Sequence, residues 1–190
     1  RGSMSVESEV GTGSTFCFTV LVEAIPDSSQ RYLEEIEPHL VGKHVLIVDD
    51  NATNRLILTR QTESWGMIPL AVSSGVEALT HLRRHSAFDL AILDMQMPEM
   101  DGLELAREIR QYGSLKNIRA LSTMPLVMLT SIGQRDLGTQ GIEFAAYLTK
   151  PVKPSPLYDA LVRIFVEQEA QQYWTDHDSF RVEEDINKDK

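Results

Sequence analysis

The chain holds a single cysteine, Cys17, among its 190 residues. One thiol excludes an internal disulfide and any metal or redox site built on paired cysteines, and it suits a reducing cytoplasm. Basic residues are scarce as well: 18 Lys and Arg stand against 28 Asp and Glu, for a net charge of −10. A nucleic-acid grip needs a basic face to neutralise phosphates, and no cluster of Lys and Arg supplies one. Long apolar runs are missing too. No stretch approaches the roughly 18 apolar residues of a membrane-crossing helix, and no signal peptide is visible. The piece is therefore expected to stay out of the membrane and in the cytoplasm, even if a longer parent is membrane-anchored.

What is present is enough to build a core. Hydrophobic residues make up 42% of the chain, which suits one domain of ordinary size with tails. Four apolar runs each end on polar groups. Val45-Leu46-Ile47-Val48 ends in Asp49-Asp50, and Leu90-Ala91-Ile92-Leu93 ends in Asp94. Leu126-Val127-Met128-Leu129 ends in Thr130, and Ala145-Ala146-Tyr147-Leu148-Thr149 ends in Lys150-Pro151. Residues 68–72 read as a further strand. Helical patterns fall between the strands at 51–65, 77–84, 103–112 and 157–165. In the first of these, Asn54, Ile57, Leu58, Gln61 and Trp65 share the inward face. In the third, Leu105, Ala106 and Ile109 point inward. Ser155-Pro156 is a suitable start for the last, an N-cap followed by Pro at the first helical position.

Strands alternating with helices predict an α/β fold: a flavodoxin-like, doubly wound, five-stranded parallel sheet of order 2-1-3-4-5 with helices on both faces. In such a sheet, ligands bind outside the carboxyl ends of the strands. Those ends here carry three carboxylates, a hydroxyl and an ammonium, with Asp49, Asp50 and Asp94 beside the switch point. A carboxylate can attack a phosphoryl group to form an acyl phosphate, so Asp94 is the expected nucleophile. Three carboxylates and an incoming phosphate repel one another without a cation. Mg²⁺ suits an all-oxygen set with retained waters, and Mn²⁺ is the alternative ion. Lys150 would stabilise the charge on the transferring phosphoryl oxygens.

At this point the sequence resembles the receiver domain of two-component signalling, with Asp49-Asp50, Asp94, Thr130 and Lys150 in the family's order and approximate spacing over residues 43 to about 166. The resemblance implies that Asp50 and Asp94 ligate the metal directly with the backbone carbonyl of Gln96, and that Asp49 acts largely through water. It implies that Thr130 hydrogen-bonds the phosphoryl oxygen and that Tyr147 reports the change by a rotamer shift, a population moved between two packings. The Lys150–Pro151 bond is commonly cis in the family. Asp49-Asp50-Asn51-Ala52-Thr53-Asn54-Arg55 resembles the hybrid-kinase version of the first helix start, which receivers present to a histidine-bearing bundle. Leu56, with Ala52 and Arg60 on the outer face, and Asn54 are the expected docking residues.

The N-terminus has its own resemblance. Val10-Gly11-Thr12-Gly13-Ser14-Thr15 leads into Phe16-Cys17-Phe18-Thr19-Val20-Leu21-Val22, similar to the last glycine box and closing strand of a histidine-kinase ATP-binding domain. Phe16, Phe18, Val20 and Val22 lie on one face by period two. The expected organisation is a cloning scar (Arg1-Gly2-Ser3) and kinase remnant over 1–25, a linker over 26–42, a receiver domain over 43–166 and an acidic tail over 167–190. From Glu167 onward acids outnumber bases eight to three, so the last helix is expected to fray into solvent. ATP binding is not expected, because the rest of that pocket would lie upstream.

Three glycines between Ser131 and Gly141 disfavour the fourth helix, so the family's dimer through that surface is not carried over. The stretch 113–124 reads as a long loop. The expected function is a phosphoacceptor in a phosphorelay, taking phosphate from a kinase bundle or phosphotransfer protein; the alternative is a receiver-like interaction module that is not phosphorylated. The parent resembles a protein-histidine kinase, whereas this piece lacks a kinase core. A phosphatase with an Asp nucleophile would want a second acid at position 96, where Gln stands. A flavin site lacks a phosphate-cradling loop after the first strand.

Overall fold

The computed structural model describes residues 2–21, 38–84, 88–131 and 141–186, with side chains described to residue 170 in the last helix. The chain divides into two compact units, residues 1–35 and 36–190.

The first unit is a hairpin of β1 (Ser3–Glu9) and β2 (Gly13–Thr19). The sequence reading anticipated only the second of these strands, and Val22 lies outside the described residues. Pairing is antiparallel, with Met4 opposite Phe18 and Val6 opposite Phe16. Directly paired residues share a face, so these four form an apolar side, and Ser5, Glu7, Thr15 and Cys17 form the polar one. Ser3 is a working member of this ladder: its hydroxyl lies 2.8 Å from that of Thr19. Phe16 and Phe18 remain largely exposed.

The second unit contains β3 (His44–Val48), α1 (Ala52–Ser64), β4 (Ile68–Val72), α2 (Gly75–Arg84), β5 (Leu90–Asp94), α3 (Gly102–Leu115), α4 (Arg119–Thr123), β6 (Leu126–Thr130), β7 (Ala146–Thr149) and α5 (Pro154–Ile186). The five strands from β3 onward form one parallel sheet of order β4-β3-β5-β6-β7. This is the 2-1-3-4-5 order predicted from the alternation.

Why the strands read as unbroken apolar runs is plain from the core. Alternate residues feed opposite faces, and both faces are covered. Val45, Ile47, Leu90, Ile92, Val127 and Leu129 join Leu58 of α1 and Leu157, Leu161, Ile164 and Phe165 of α5. Leu46, Val48, Ala91, Leu93, Leu126 and Met128 join Leu79 and Leu82 of α2 and Leu105 and Ile109 of α3. A side chain of this size contributes about 1.5–3 kcal/mol when fully buried, so the two layers dominate the stability of the unit.

Three expectations change. Helix α5 does not fray after Phe165 but continues to Ile186, since no Gly or Pro interrupts the stretch after Pro156 and Gln and Glu, both good helix formers, recur along it. The stretch 113–124 is not a plain loop: α3 extends to Leu115, Asn117 turns the chain with φ +55°, and α4 follows. Gly113 permits this return, because a Cβ there would press on the backbone of Leu121 and Ser122. On α1, Ile57 is exposed and Thr62 takes the buried place instead, its hydroxyl donating to the Leu58 carbonyl at 2.9 Å. The expected fourth helix and most of the linker lie outside the described residues.

Candidate functional site

Asp49 leaves β3 with its N–H donated to the Val72 carbonyl at 3.3 Å, which holds the strand end against β4. Asn51 then caps α1, its side chain accepting from the N–H groups of Thr53 and Asn54. That cap starts the helix immediately beyond the acidic pair and brings positions 54 and 55 back over it. Asn54 Nδ2 donates to both carboxylate oxygens of Asp49, at 3.2 and 3.1 Å, and the Asn51 N–H donates to one of them at 2.8 Å.

Asp94 ends β5, and the turn after it is tightly tied. Met95 N–H donates to the Leu129 carbonyl at 2.9 Å, Gly102 N–H to the Met95 carbonyl at 3.1 Å, and Gln96 N–H to the Asp94 carboxylate at 3.3 Å. Gly102 packs directly on the Asp94 carbonyl, leaving no room for a Cβ. Asp101 opens α3 with a capping box: its carboxylate accepts from the Glu104 N–H, and Glu104 reaches back to the Asp101 N–H.

Lys150, after β7, reaches across the crevice. Its Nζ lies 2.8 Å from Asp94 Oδ2 and 3.1 Å from Asp49 Oδ2. The Lys150–Pro151 peptide bond is cis. Asp49 and Asp94 are buried, Asp50 is exposed, and the three carboxylates can bring one oxygen each within 4.8 Å of one another. Thr130 is buried at the end of β6 and pairs in register with Thr149. Tyr147 is half-buried and packs at 5.2 Å on Phe144.

Charge is out of balance here. At about 4 Å and an effective permittivity of about 20, one pair of unit charges is worth about 4 kcal/mol. Three carboxylates make three repulsive pairs, and the single Lys150 ammonium touches only two of them. Burial pushes the Asp94 carboxyl above its ordinary value, and the Asp49 charge adds to this against the pull of Lys150. Burial by itself would lower Lys150, but its bonds to Asp94 and Asp49 and their charges outweigh it and hold the ammonium above its ordinary value. An excess of buried oxygen donors without matching charge is the donor set of a hard divalent cation, so the residues fit Mg²⁺.

A family model described as a response regulator receiver domain matches residues 45–162. The chain belongs to that receiver-domain family. It is 34% identical over 182 residues to the autoinducer 2 sensor kinase/phosphatase LuxQ of Vibrio vulnificus, a match spanning 93% of this chain and 20% of that protein. It is 33% identical over 144 residues to the sensor protein EvgS of Escherichia coli, spanning 75% of this chain and 11% of that one. The chain thus spans about a fifth or less of the length of these curated relatives. Among solved structures, the receiver domain of the sensor histidine kinase PA1611 of Pseudomonas aeruginosa matches with a TM-score of 0.56 and 26% identity, over 66% of this chain and 98% of that one. That receiver was solved with a magnesium ion coordinated in its active-site cleft. Vibrio cholerae chemotaxis protein CheY4 matches with a TM-score of 0.57 and 26% identity, over 65% and 98% of the two chains. This chain therefore carries a two-component receiver domain of the hybrid sensor-kinase type, with the acidic pocket typical of a phosphoacceptor.

The receiver brings together Asp49, Asp50, Asp94 and Lys150 as the strand-end pattern predicted. Leu56 is exposed on α1, and exposed Ile57 stands beside it. Asn54, expected as a docking residue, turns its amide onto Asp49. Arg55 entered the sequence reading only as the end of the Asp49–Arg55 resemblance, with no role of its own. The signal for both was positional, since they are the third and fourth residues of a helix capped directly after the acidic pair. Among the described residues no helix is long and apolar enough to cross a membrane.

Proposed function

We propose that Asp94 is the phosphoacceptor of a phosphorelay and that a phosphohistidine on a kinase bundle or phosphotransfer protein is its donor. The observation that carries this is the placing of the Asp94 carboxylate at a strand end, 2.8 Å from Lys150 and within ligand distance of Asp49 and Asp50. An Asp94 oxygen attacks phosphorus as the P–N bond breaks, and the electron pair leaves on the imidazole nitrogen. Lys150 stabilises the charge gathering on the phosphoryl oxygens. Held by Asp49, Asp50, Asp94 and the Gln96 carbonyl, Mg²⁺ would neutralise the carboxylates and the incoming phosphate. Thr130 then binds a phosphoryl oxygen, and Tyr147, against Phe144, follows the shift in β6 and β7. The first unit is proposed as the end of a kinase ATP-binding domain, and the parent as a hybrid kinase working at the cytoplasmic side of a membrane.

Intact mass after incubation with a small phosphodonor tests the reading. One added phosphoryl group with Mg²⁺, and none with a chelator, is the expected result. A folded chain with no adduct in either case would leave an unphosphorylated interaction module.

Leu56 and Ile57 form the exposed apolar part of α1 next to the site, and we assign them the docking contact with the histidine-bearing bundle. Leu56→Glu should slow transfer from a phosphohistidine donor by about tenfold or more, the effect of losing a central interface anchor. Phosphorylation by the small donor should be unchanged; equal loss with both donors would sink the docking role.

A further inference from the structure

Arg55 makes contacts that the acceptor chemistry does not use. One guanidinium nitrogen, Nη1, donates to the backbone carbonyl of Asp49 at 2.8 Å and to that of Asp50 at 2.9 Å. Two consecutive carbonyls turned to one donor fix the backbone of the acidic pair. The two carboxylates depend on this to different degrees. That of Asp49 is already held by Asn51, Asn54 and Lys150. Among the described residues no hydrogen bond holds the exposed carboxylate of Asp50. The backbone therefore supplies the one fixed reference from which that carboxylate projects.

We infer that Arg55 is a positioning residue that aims Asp50 into the cation site by clamping the carbonyls of Asp49 and Asp50, an inference resting on the metal-dependent acceptor reading above. The clamp is built into the start of α1: Asn51 caps the helix, the Arg55 N–H donates to the Asn51 carbonyl at 3.0 Å, and the side chain then runs back over the turn. Arg suits the task because its planar, permanently charged guanidinium holds the two N–H bonds of Nη1 in fixed directions, whereas the Lys ammonium is a flexible point donor.

Electrostatics and positioning predict opposite signs, which makes the inference testable. Arg55 is a cation near a cation site. If its charge were what mattered, removing it would tighten Mg²⁺ binding. If it aims Asp50, removing it weakens binding, by about tenfold as for other groups that orient metal ligands.

The experiment is Mg²⁺ titration of the full 190-residue chain by calorimetry, with the metal alone, comparing wild type, Arg55→Met, Arg55→Lys and, as control, Arg60→Met on the exposed face of the same helix. Thermal melts run alongside. The expected order of affinity is wild type and Arg60→Met together, then Arg55→Lys, then Arg55→Met. Unchanged or tighter binding in a folded Arg55→Met chain overturns the clamp; if that variant does not fold, wild-type affinity in Arg55→Lys, which keeps charge but not the fixed planar donor geometry, overturns it as well. A wild-type chain that takes no Mg²⁺ overturns both the clamp and the acceptor reading.

Discussion

Asp94→Asn should accept no phosphoryl group from any donor while becoming more stable, by about 1 kcal/mol, the usual size of the gain from a single stabilising substitution. The loss follows from the chemistry, since an amide oxygen does not offer the nucleophilic lone pair of a carboxylate. The gain follows from the surroundings. Asp94 is buried, and that burial, with the Asp49 charge adding to it, raises its carboxyl further than the Lys150 contact lowers it. A carboxyl whose folded value lies above its unfolded one contributes stability while protonated, and that contribution is lost as pH rises above the ordinary value of 3.8 through the folded value. At neutral pH the ionised group is therefore a burden that Asn removes. Intact mass and urea unfolding at neutral pH check the two halves together. An adduct on the Asn variant would place the acceptor elsewhere, and a clear loss of stability would mean that the Lys150 contact outweighs the repulsion.

Lys150→Met should produce the opposite stability change. It leaves Asp49 and Asp94 buried with their shared cation gone, and breaking a buried ion pair from one side costs about 3–5 kcal/mol. In the wild type, the Lys150 contribution is complete below its ordinary value of 10.5 and fades only as pH rises through the still higher folded value. The variant loses it throughout the acidic and neutral range. The Asp94 carboxyl, already raised by burial and now without the pull of Lys150, then rises further, so the variant's stability should fall steeply as pH climbs from about 4, where wild type falls much less. Unfolding curves at a series of pH values measure this difference. Added Mg²⁺ should restore much of the lost stability, because a ligand that binds only the folded state stabilises it by mass action. Phosphoryl transfer should remain slow even then, since the charge facing the phosphoryl oxygens has not returned. A pH-independent deficit that Mg²⁺ leaves untouched would mean that Lys150 acts by packing alone.

How far the site could be read ahead depended on the element that carried it. Strand tips were legible, because a buried parallel strand must be apolar throughout, and an Asp, Thr or Lys standing after such a run has only the crevice to enter. Helix-borne contributors were not. Asn54 and Arg55 look like ordinary polar residues on an amphipathic helix, and only the angle at which α1 leaves its cap turns one onto the Asp49 carboxylate and the other onto the carbonyls beneath it. Ile57 shows the converse failure. Helical spacing put it with the core, yet the buried place on α1 belongs to Thr62, whose hydroxyl is satisfied within its own helix.

The sequence by itself determined the sheet, its strand order and the four polar strand ends, since periodic burial and short right-handed connections leave few other arrangements for runs of this length. Helix ends were less determined: the 113–124 stretch was read as loop and α5 as ending early, because propensity is a weak local preference that neighbouring turns and packing override. Tertiary structure alone decided the sharing of one ammonium by two carboxylates, Lys150 lying more than a hundred residues from Asp49 in the chain. It also decided that Arg55 grips the carbonyls of Asp49 and Asp50, because hydrogen-bond geometry depends on ångström distances that no residue spacing encodes.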